Sequence, residues 1–221
     1  VIKALSEMKV PIHSIYATEF GALAGALYFT QPNANRIDWA LLRFTENNLR
    51  RPDGKLALLK LKSPEANLEE KLREIFGDKR VETYADRLHI LLQDAKTGEK
   101  IEAKTGDLWR AVRGALSGAN GFGPVDFEGR EVKASTSKVS DEYRIARQLE
   151  GYPIVVAIAG QPPSELLRRL IEAQKSTLLY IPLPGVDDLD LKRRNQAVFS
   201  GKSAVQQAAN EILGLIGRKL E

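Results

Sequence analysis

Apolar positions along the chain alternate between a helical and an extended period. Val1–Lys9 sets Ile2, Leu5 and Met8 on one stripe, the spacing of an amphipathic helix. Val10–Thr18 begins with Pro11, a helix stop, and continues through Ile12, Ile15 and Tyr16, which predicts a buried strand. Phe20–Phe29 then reads as a helix in which Gly21, Ala22, Ala24, Gly25 and Ala26 permit close approach of a neighbour, and Ile37–Phe44 predicts another. Ser63 and Pro64 open a helix through Leu68, Leu72, Ile75 and Phe76, which Gly77 ends. Leu88–Gln93 and Glu99–Ala103 predict adjacent strands joined at a Thr97-Gly98 turn. Asp107 is expected to cap a helix through Leu108, Trp109, Val112 and Leu116, loosened and ended by the glycines at 114, 118, 121 and 123.

The last third repeats the alternation. Ile154–Ala159 is a wholly apolar strand, Pro162 and Pro163 start a helix through Ile171, and Leu178–Ile181 is a second buried strand. Continuous apolar strands separated by helices predict an α/β fold with a mainly parallel central sheet covered on both faces. Gly185–Arg194 reads as a charged loop and Ser203–Leu220 as a closing amphipathic helix. No repeat or low-complexity linker interrupts the pattern, so residues 1–221 are expected to form a single domain.

Composition narrows the chemistry. A hydrophobic fraction of 43% with 28% charged residues is enough for a sizeable core. The net charge is 33 − 29 = +4 and is spread over mixed-sign segments, so no nucleic-acid partner is expected. Lys192, Arg193 and Arg194, for example, follow Asp187, Asp188 and Asp190 and read as a mixed-charge loop. Cysteine is absent, which excludes disulfides, thiolate metal sites and a cysteine nucleophile. His13 and His89 are the only histidines, so neither a metal nor a cofactor is expected. No apolar run reaches the ~18 residues of a membrane span and no signal-peptide pattern opens the chain. The expectation is a chain without a transmembrane segment, soluble, cytoplasmic or peripheral to a membrane. Because Val1 lies inside a helical pattern, the natural start is expected upstream.

The strongest local feature is the strand, tight turn and small-residue helix at Ile12–Leu27. In α/β hydrolytic enzymes that junction is the nucleophile elbow, Gly-x-Ser-x-Gly, which stands a serine hydroxyl at a helix N-terminus. Here the five residues are Ala17, Thr18, Glu19, Phe20 and Gly21, so the serine is missing. With Ile2-Lys3-Ala4-Leu5, Val10-Pro11-Ile12 and the run Ala17–Leu23, this start resembles that of a patatin-like phospholipase just after its glycine-rich first turn. Leu88–Gly98 followed by Gly106–Pro124, with Phe122-Gly123-Pro124-Val125, is similar to the family's middle. Glu128-Gly129-Arg130 through Ala146-Arg147-Gln148-Leu149 resembles the segment that carries its Asp-Gly-Gly motif, and Gly201–Leu215 its closing helix.

The resemblance implies a three-layer α/β/α sandwich and a lipid acyl hydrolase built on a Ser-Asp dyad with an upstream glycine-rich oxyanion loop. Carried over by position, the nucleophile falls on Glu19 and the dyad aspartate on Ala134, within Lys133-Ala134-Ser135-Thr136. The glycine-rich strand-turn would precede Val1. Loss of a serine nucleophile and its base costs about 10⁶ in turnover. A carboxylate at Glu19 is stabilised as the anion by the helix dipole, by about 0.3–1 kcal/mol, which makes it a poorer nucleophile and a better helix-start charge. The implied function is therefore a pseudoenzyme that binds a lipid-like or acyl ligand or a protein partner, a second copy included. The alternative is an acyl hydrolase of phospholipase A or lysophospholipase type with an unorthodox nucleophile, Ser117 or Glu19.

Other candidates carry two readings each. Ser117 and Gly118 lie in a glycine-rich segment that either cradles a ligand or simply connects two elements. Trp39, with Leu41 and Leu42, is either core or the wall of a lipid-facing groove. Ser135 and Ser137 flank the lost aspartate position and read first as a surface turn. Asp94 and Glu99 read as turn and edge-strand residues, and His89 and His13 as satisfied core or edge histidines.

Overall fold

The structure, a computed structural model, describes residues 1–31, 37, 63–118, 122–135, 155–160, 162–173, 176–183 and 193–217. They fall into two compact units, His13–Thr136 and the pair of segments Val1–Ile12 with Ser137–Glu221.

The first unit contains β1 (Ile15–Ala17), α2 (Glu19–Thr30), α3 (Pro64–Phe76), β2 (Leu88–Asp94), β3 (Lys100–Ala103), α4 (Leu108–Ala115), β4 (Val125–Phe127) and β5 (Arg130–Ala134). The second contains α1 (Ile2–Glu7), β6 (Val155–Ala159), α5 (Glu165–Ala173), β7 (Thr177–Ile181), α6 (Arg194–Gln207) and α7 (Ala209–Leu215). The α/β class expected from the alternation is present. All but Ile37 of the expected helix at Ile37–Phe44, and most of the charged loop at Gly185–Arg194, lie outside the described residues.

The five strands of the first unit form a mixed sheet in which β2 is central. Its pairing with β1 is parallel, while β2–β3, β2–β5 and β4–β5 are antiparallel, so this sheet is not mainly parallel as the alternation predicted. The reason is local, because tight turns, which only antiparallel neighbours can use, join β2 to β3 and β4 to β5. At the first turn Asp94 Oδ1 accepts the N–H groups of Lys96 (2.9 Å) and Thr97 (2.8 Å). At the second, Glu128 and Gly129 both take positive φ, 53° and 77°, the pattern of a two-residue hairpin turn.

Ile90 pairs with both Ala17 and Ala103, and Leu92 with both Ala134 and Ile101. A strand has two edges, so β3 occupies one and β1 and β5 share the other, end to end. Alternation puts Ile15, Ala17, Leu88, Ile90, Leu92, Val132 and Ala134 on one face. Helices α2 and α4 cover it through glycines. A Cβ at Gly25 would meet Leu88 Cδ1 at 3.0 Å and Ile15 Cγ2 at 3.1 Å, and one at Gly114 would meet Val132 Cγ2 at 2.8 Å. Helix α3 begins as its sequence requires, with Ser63 Oγ accepting the Ala66 N–H at 3.1 Å.

Two departures concern helix ends. Asp107 makes no cap hydrogen bond, because its carboxylate is drawn to Arg80 Nη1 (2.9 Å) and Arg110 Nε (3.2 Å). The closing helix starts nine residues before Ser203, at Arg194, and is divided at Ala208 into α6 and α7. A basic start reads as loop by charge alone, yet Arg, Gln and Ala there are good helix formers.

In the second unit β6 and β7 pair in parallel over five residues. Val155 and Leu179 pack with Ala4, Leu5, Val205 and Ile212, while Val156, Ile158 and Leu178 pack with Leu167 and Ile171 of α5. Each face of the pair has apolar partners, but the coverage expected of unbroken apolar runs is incomplete at β6, where Ala157 and Ala159 are exposed, while β7 buries Thr177, Leu179 and Ile181.

Candidate functional site

The strand-turn-helix junction is present, with a strand shorter than the buried Val10–Thr18 expected: β1 is Ile15–Ala17, of which Ala17 alone is buried. Ala17 ends β1, Thr18 is still extended (φ −127°, ψ 170°), and Glu19 begins α2 with φ 49°. A positive φ in a side-chain-bearing residue costs on the order of 1–2 kcal/mol and is the mark of a sharp, strained turn. The turn is closed by Ala22 N–H donating to Thr18 O at 3.2 Å. A Cβ at Gly21 would touch the Ala17 side chain at 3.4 Å, so strand end and first helical turn lie against each other. Phe20 is half-buried and Glu19 is exposed. Thr18 makes no cap bond, and its buried Oγ1 lacks a partner. A hydroxyl at Glu19 would stand exposed at the helix N-terminus, the place a nucleophile occupies in an elbow.

Ala134 closes β5 opposite Leu92 and is buried, as is Ser135 after it. Ala17 lies opposite Ile90, two residues earlier on the same strand edge. Two residues of strand span about 7 Å, so the elbow and the end of β5 meet on one edge of β2. An aspartate at Ala134 would be a neighbour of the elbow, whereas a methyl group has no lone pair with which to take a proton.

Ser117 joins this region from below. Its carbonyl accepts the Ala134 N–H at 3.3 Å, and its Oγ accepts from Arg113 Nη1 at 2.9 Å and donates to Arg113 O at 3.2 Å. Ser117 is 1% exposed and Arg113 2%. Arg113 Nη1 also donates to Gly123 O at 3.2 Å, its guanidinium lies 5.4 Å from the Phe122 ring centroid, and Glu69 stands 3.7 Å from Nε. Burial holds the Arg113 pKa below the ordinary value, with Glu69 and Glu65 opposing that shift. Gly118 follows with φ 93°, its N–H donating to Phe122 O at 2.9 Å. Ser117, Phe122 and Gly123 thus gather on one buried arginine, and the Ser117 hydroxyl is engaged on both sides. Trp39, Ser137 and Thr136 lie outside the described residues.

A second polar group occupies the opposite face. His89 Nδ1 lies 2.8 Å from Glu102 Oε1, and the imidazole stacks on Tyr16 with centroids 3.9 Å apart. His89 Nε2 is buried with no hydrogen-bond partner. Burial raises the Tyr16 pKa, and the Glu102 carboxylate adds to that. Glu102 and Tyr16 escape a reading by sequence, because a diagonal contact across three strands needs the register. Asp94 forms the turn described above, and Glu99 accepts from Arg130 Nη1 at 3.1 Å.

A family model, patatin-like phospholipase, matches residues 1–141, nearly two thirds of the chain. The chain belongs to the patatin-like phospholipase family. The matched stretch contains Glu19, Ser117 and Ala134, and the patatin-like domain is a lipid-hydrolase type of fold. No curated protein matches the chain. Among the described residues no group of three or more His, Asp or Glu could hold a metal ion, and no helix is long and apolar enough to cross a membrane.

Proposed function

We propose that this patatin-like chain has lost ester hydrolysis and acts by binding a lipid-like or acyl ligand at the elbow, with presentation of that ligand to a protein partner as its use. Residues 1–221 form its single domain in this reading. The observation that supports it is the meeting on one edge of β2 of Ala134 and Ala17, the latter two residues before Glu19 in its turn with φ 49°. The turn has the strained shape of a nucleophile elbow, yet Glu19 offers no hydroxyl and Ala134 no base. Hydrolysis of an ester by a hydroxyl needs a nucleophile, a base within hydrogen-bond reach and oxyanion donors. Ser117 is no substitute, with its hydroxyl held between Arg113 Nη1 and Arg113 O.

Titration of an environment-sensitive fluorescent fatty acid into the natural full-length protein tests the binding half. Saturable binding that tightens in Glu19→Gln, where repulsion between two carboxylates is relieved, is the expected result. Non-saturable binding that ignores the substitution would overturn it. Treatment with a fluorophosphonate is expected to leave every serine unlabelled.

A further inference from the structure

Helix α6 buries one side and carries two large apolar side chains on the other. Gly201, Ala204 and Val205 are buried, yet Phe199 is 71% and Val198 54% exposed. Asn195, Phe199, Lys202 and Gln206 stand four, seven and eleven residues apart along one outward stripe, with Val198 at its border. A water-facing stripe on a surface helix is ordinarily polar, so an adjacent Val-Phe pair there calls for a second contact.

Charge indicates which kind. Residues 191–210 contain Lys192, Arg193, Arg194 and Lys202 and neither Asp nor Glu, whereas Asp187, Asp188 and Asp190 all precede them. Arg193 is exposed, and Lys202 shares a half-exposed ion pair with Glu7 at 3.2 Å, a contact of little strength in water. Two apolar side chains fall far short of the ~800 Å² per partner that a stable protein interface buries. They suit an interface that needs only a few inserted side chains beside basic groups, which is a lipid headgroup layer.

We propose that α6 is a docking helix that seats Phe199 and Val198 in the headgroup–acyl boundary of an anionic membrane surface, with Lys202 and Arg193 against lipid phosphates. The choice of a lipid partner rests on the lipid-ligand reading above, and the face itself rests on exposure and charge. Such docking would hold the chain where membrane acyl ligands are found.

Co-sedimentation of the full chain with extruded vesicles tests this, using phosphatidylcholine alone and phosphatidylcholine with about one third phosphatidylserine. Binding to the anionic vesicles is expected to exceed binding to the neutral ones by about tenfold. The double variant Val198→Ser/Phe199→Ser is expected to lose about tenfold or more on anionic vesicles, with an unchanged melting temperature because both side chains are exposed. Lys202→Gln is expected to lose about fivefold on anionic vesicles and nothing on neutral ones. Vesicle binding unaltered by the double variant, or none by the unaltered chain, would overturn the proposal. So would concentration-dependent dimerisation that the double variant abolishes, since the face would then belong to a second copy. Fatty-acid binding without vesicle binding would remove only the docking helix, and the reverse would remove only the elbow as a ligand site.

Discussion

Ala17 and Ala134 share one edge of β2, opposite Ile90 and Leu92 respectively, so the last residue before the elbow and the last residue of β5 are about 7 Å apart. Parallel β1 and antiparallel β5 point their C-terminal ends at each other. Whatever follows Ala17 and Ala134 therefore converges on one place. In this chain Thr18-Glu19 and Ser135 follow them.

The turn at Glu19 carries a measurable cost. With φ 49°, Glu19→Gly should raise stability by about 1 kcal/mol, since glycine adopts that conformation without a Cβ clash. Glu19→Ala should not, because alanine keeps the clash. Urea unfolding of both variants checks this, and a destabilised Glu19→Gly would show that the strain is not there.

Arg113 should matter more for stability than any surface arginine. Its removal by Arg113→Met takes the donor from the buried Ser117 Oγ and from the carbonyl of the exposed Gly123, an expected loss of about 2–3 kcal/mol. Ser117→Ala should cost only about 1 kcal/mol, because one modest hydrogen-bonding group goes with its cavity. Equal losses in the two variants would mean that the serine, rather than the guanidinium, holds the turn.

Acid should act through the β2–β3 turn. The N–H groups of Thr97 and Lys96, aided by the Thr97 side chain and by Arg130, hold the Asp94 carboxyl below its ordinary 3.8. A depressed folded value gives stability that is complete above that ordinary value and lost as pH falls through the folded one. Melting temperature measured from neutral pH to below pH 3.8 should fall less steeply in that acid range for Asp94→Asn than for the unaltered chain. Parallel curves would assign the acid loss elsewhere, Glu82 first, whose carboxyl is lowered by its own backbone N–H and by Arg80.

What could be read along the chain was whatever is local. The Ser63 cap, the Thr97-Gly98 turn, the glycine-bearing face of α2 and the apolar strands β6 and β7 follow from neighbours in sequence. Strands β4 and β5 are three and five residues long and rich in charge, too short for a period to show. Asp107 looks like a cap until Arg80, 27 residues away, claims its carboxylate. The candidate site divides in the same way. Glu19 could be located from the strand-turn-helix pattern, and Ala134 from the family resemblance. Their convergence depends on the register of β2, and the engagement of Ser117 on a buried Arg113, which no local pattern announces.

Hydrolysis of short and medium acyl p-nitrophenyl esters by the natural full-length protein, beside its Glu19→Ala variant, is the most direct measurement. A chain that has lost its nucleophile and base should show rates indistinguishable from buffer for both proteins. Turnover abolished by Glu19→Ala would establish a carboxylate mechanism, and turnover that survives it would establish a nucleophile elsewhere in the fold. Either result would contradict a hydrolytically inactive elbow.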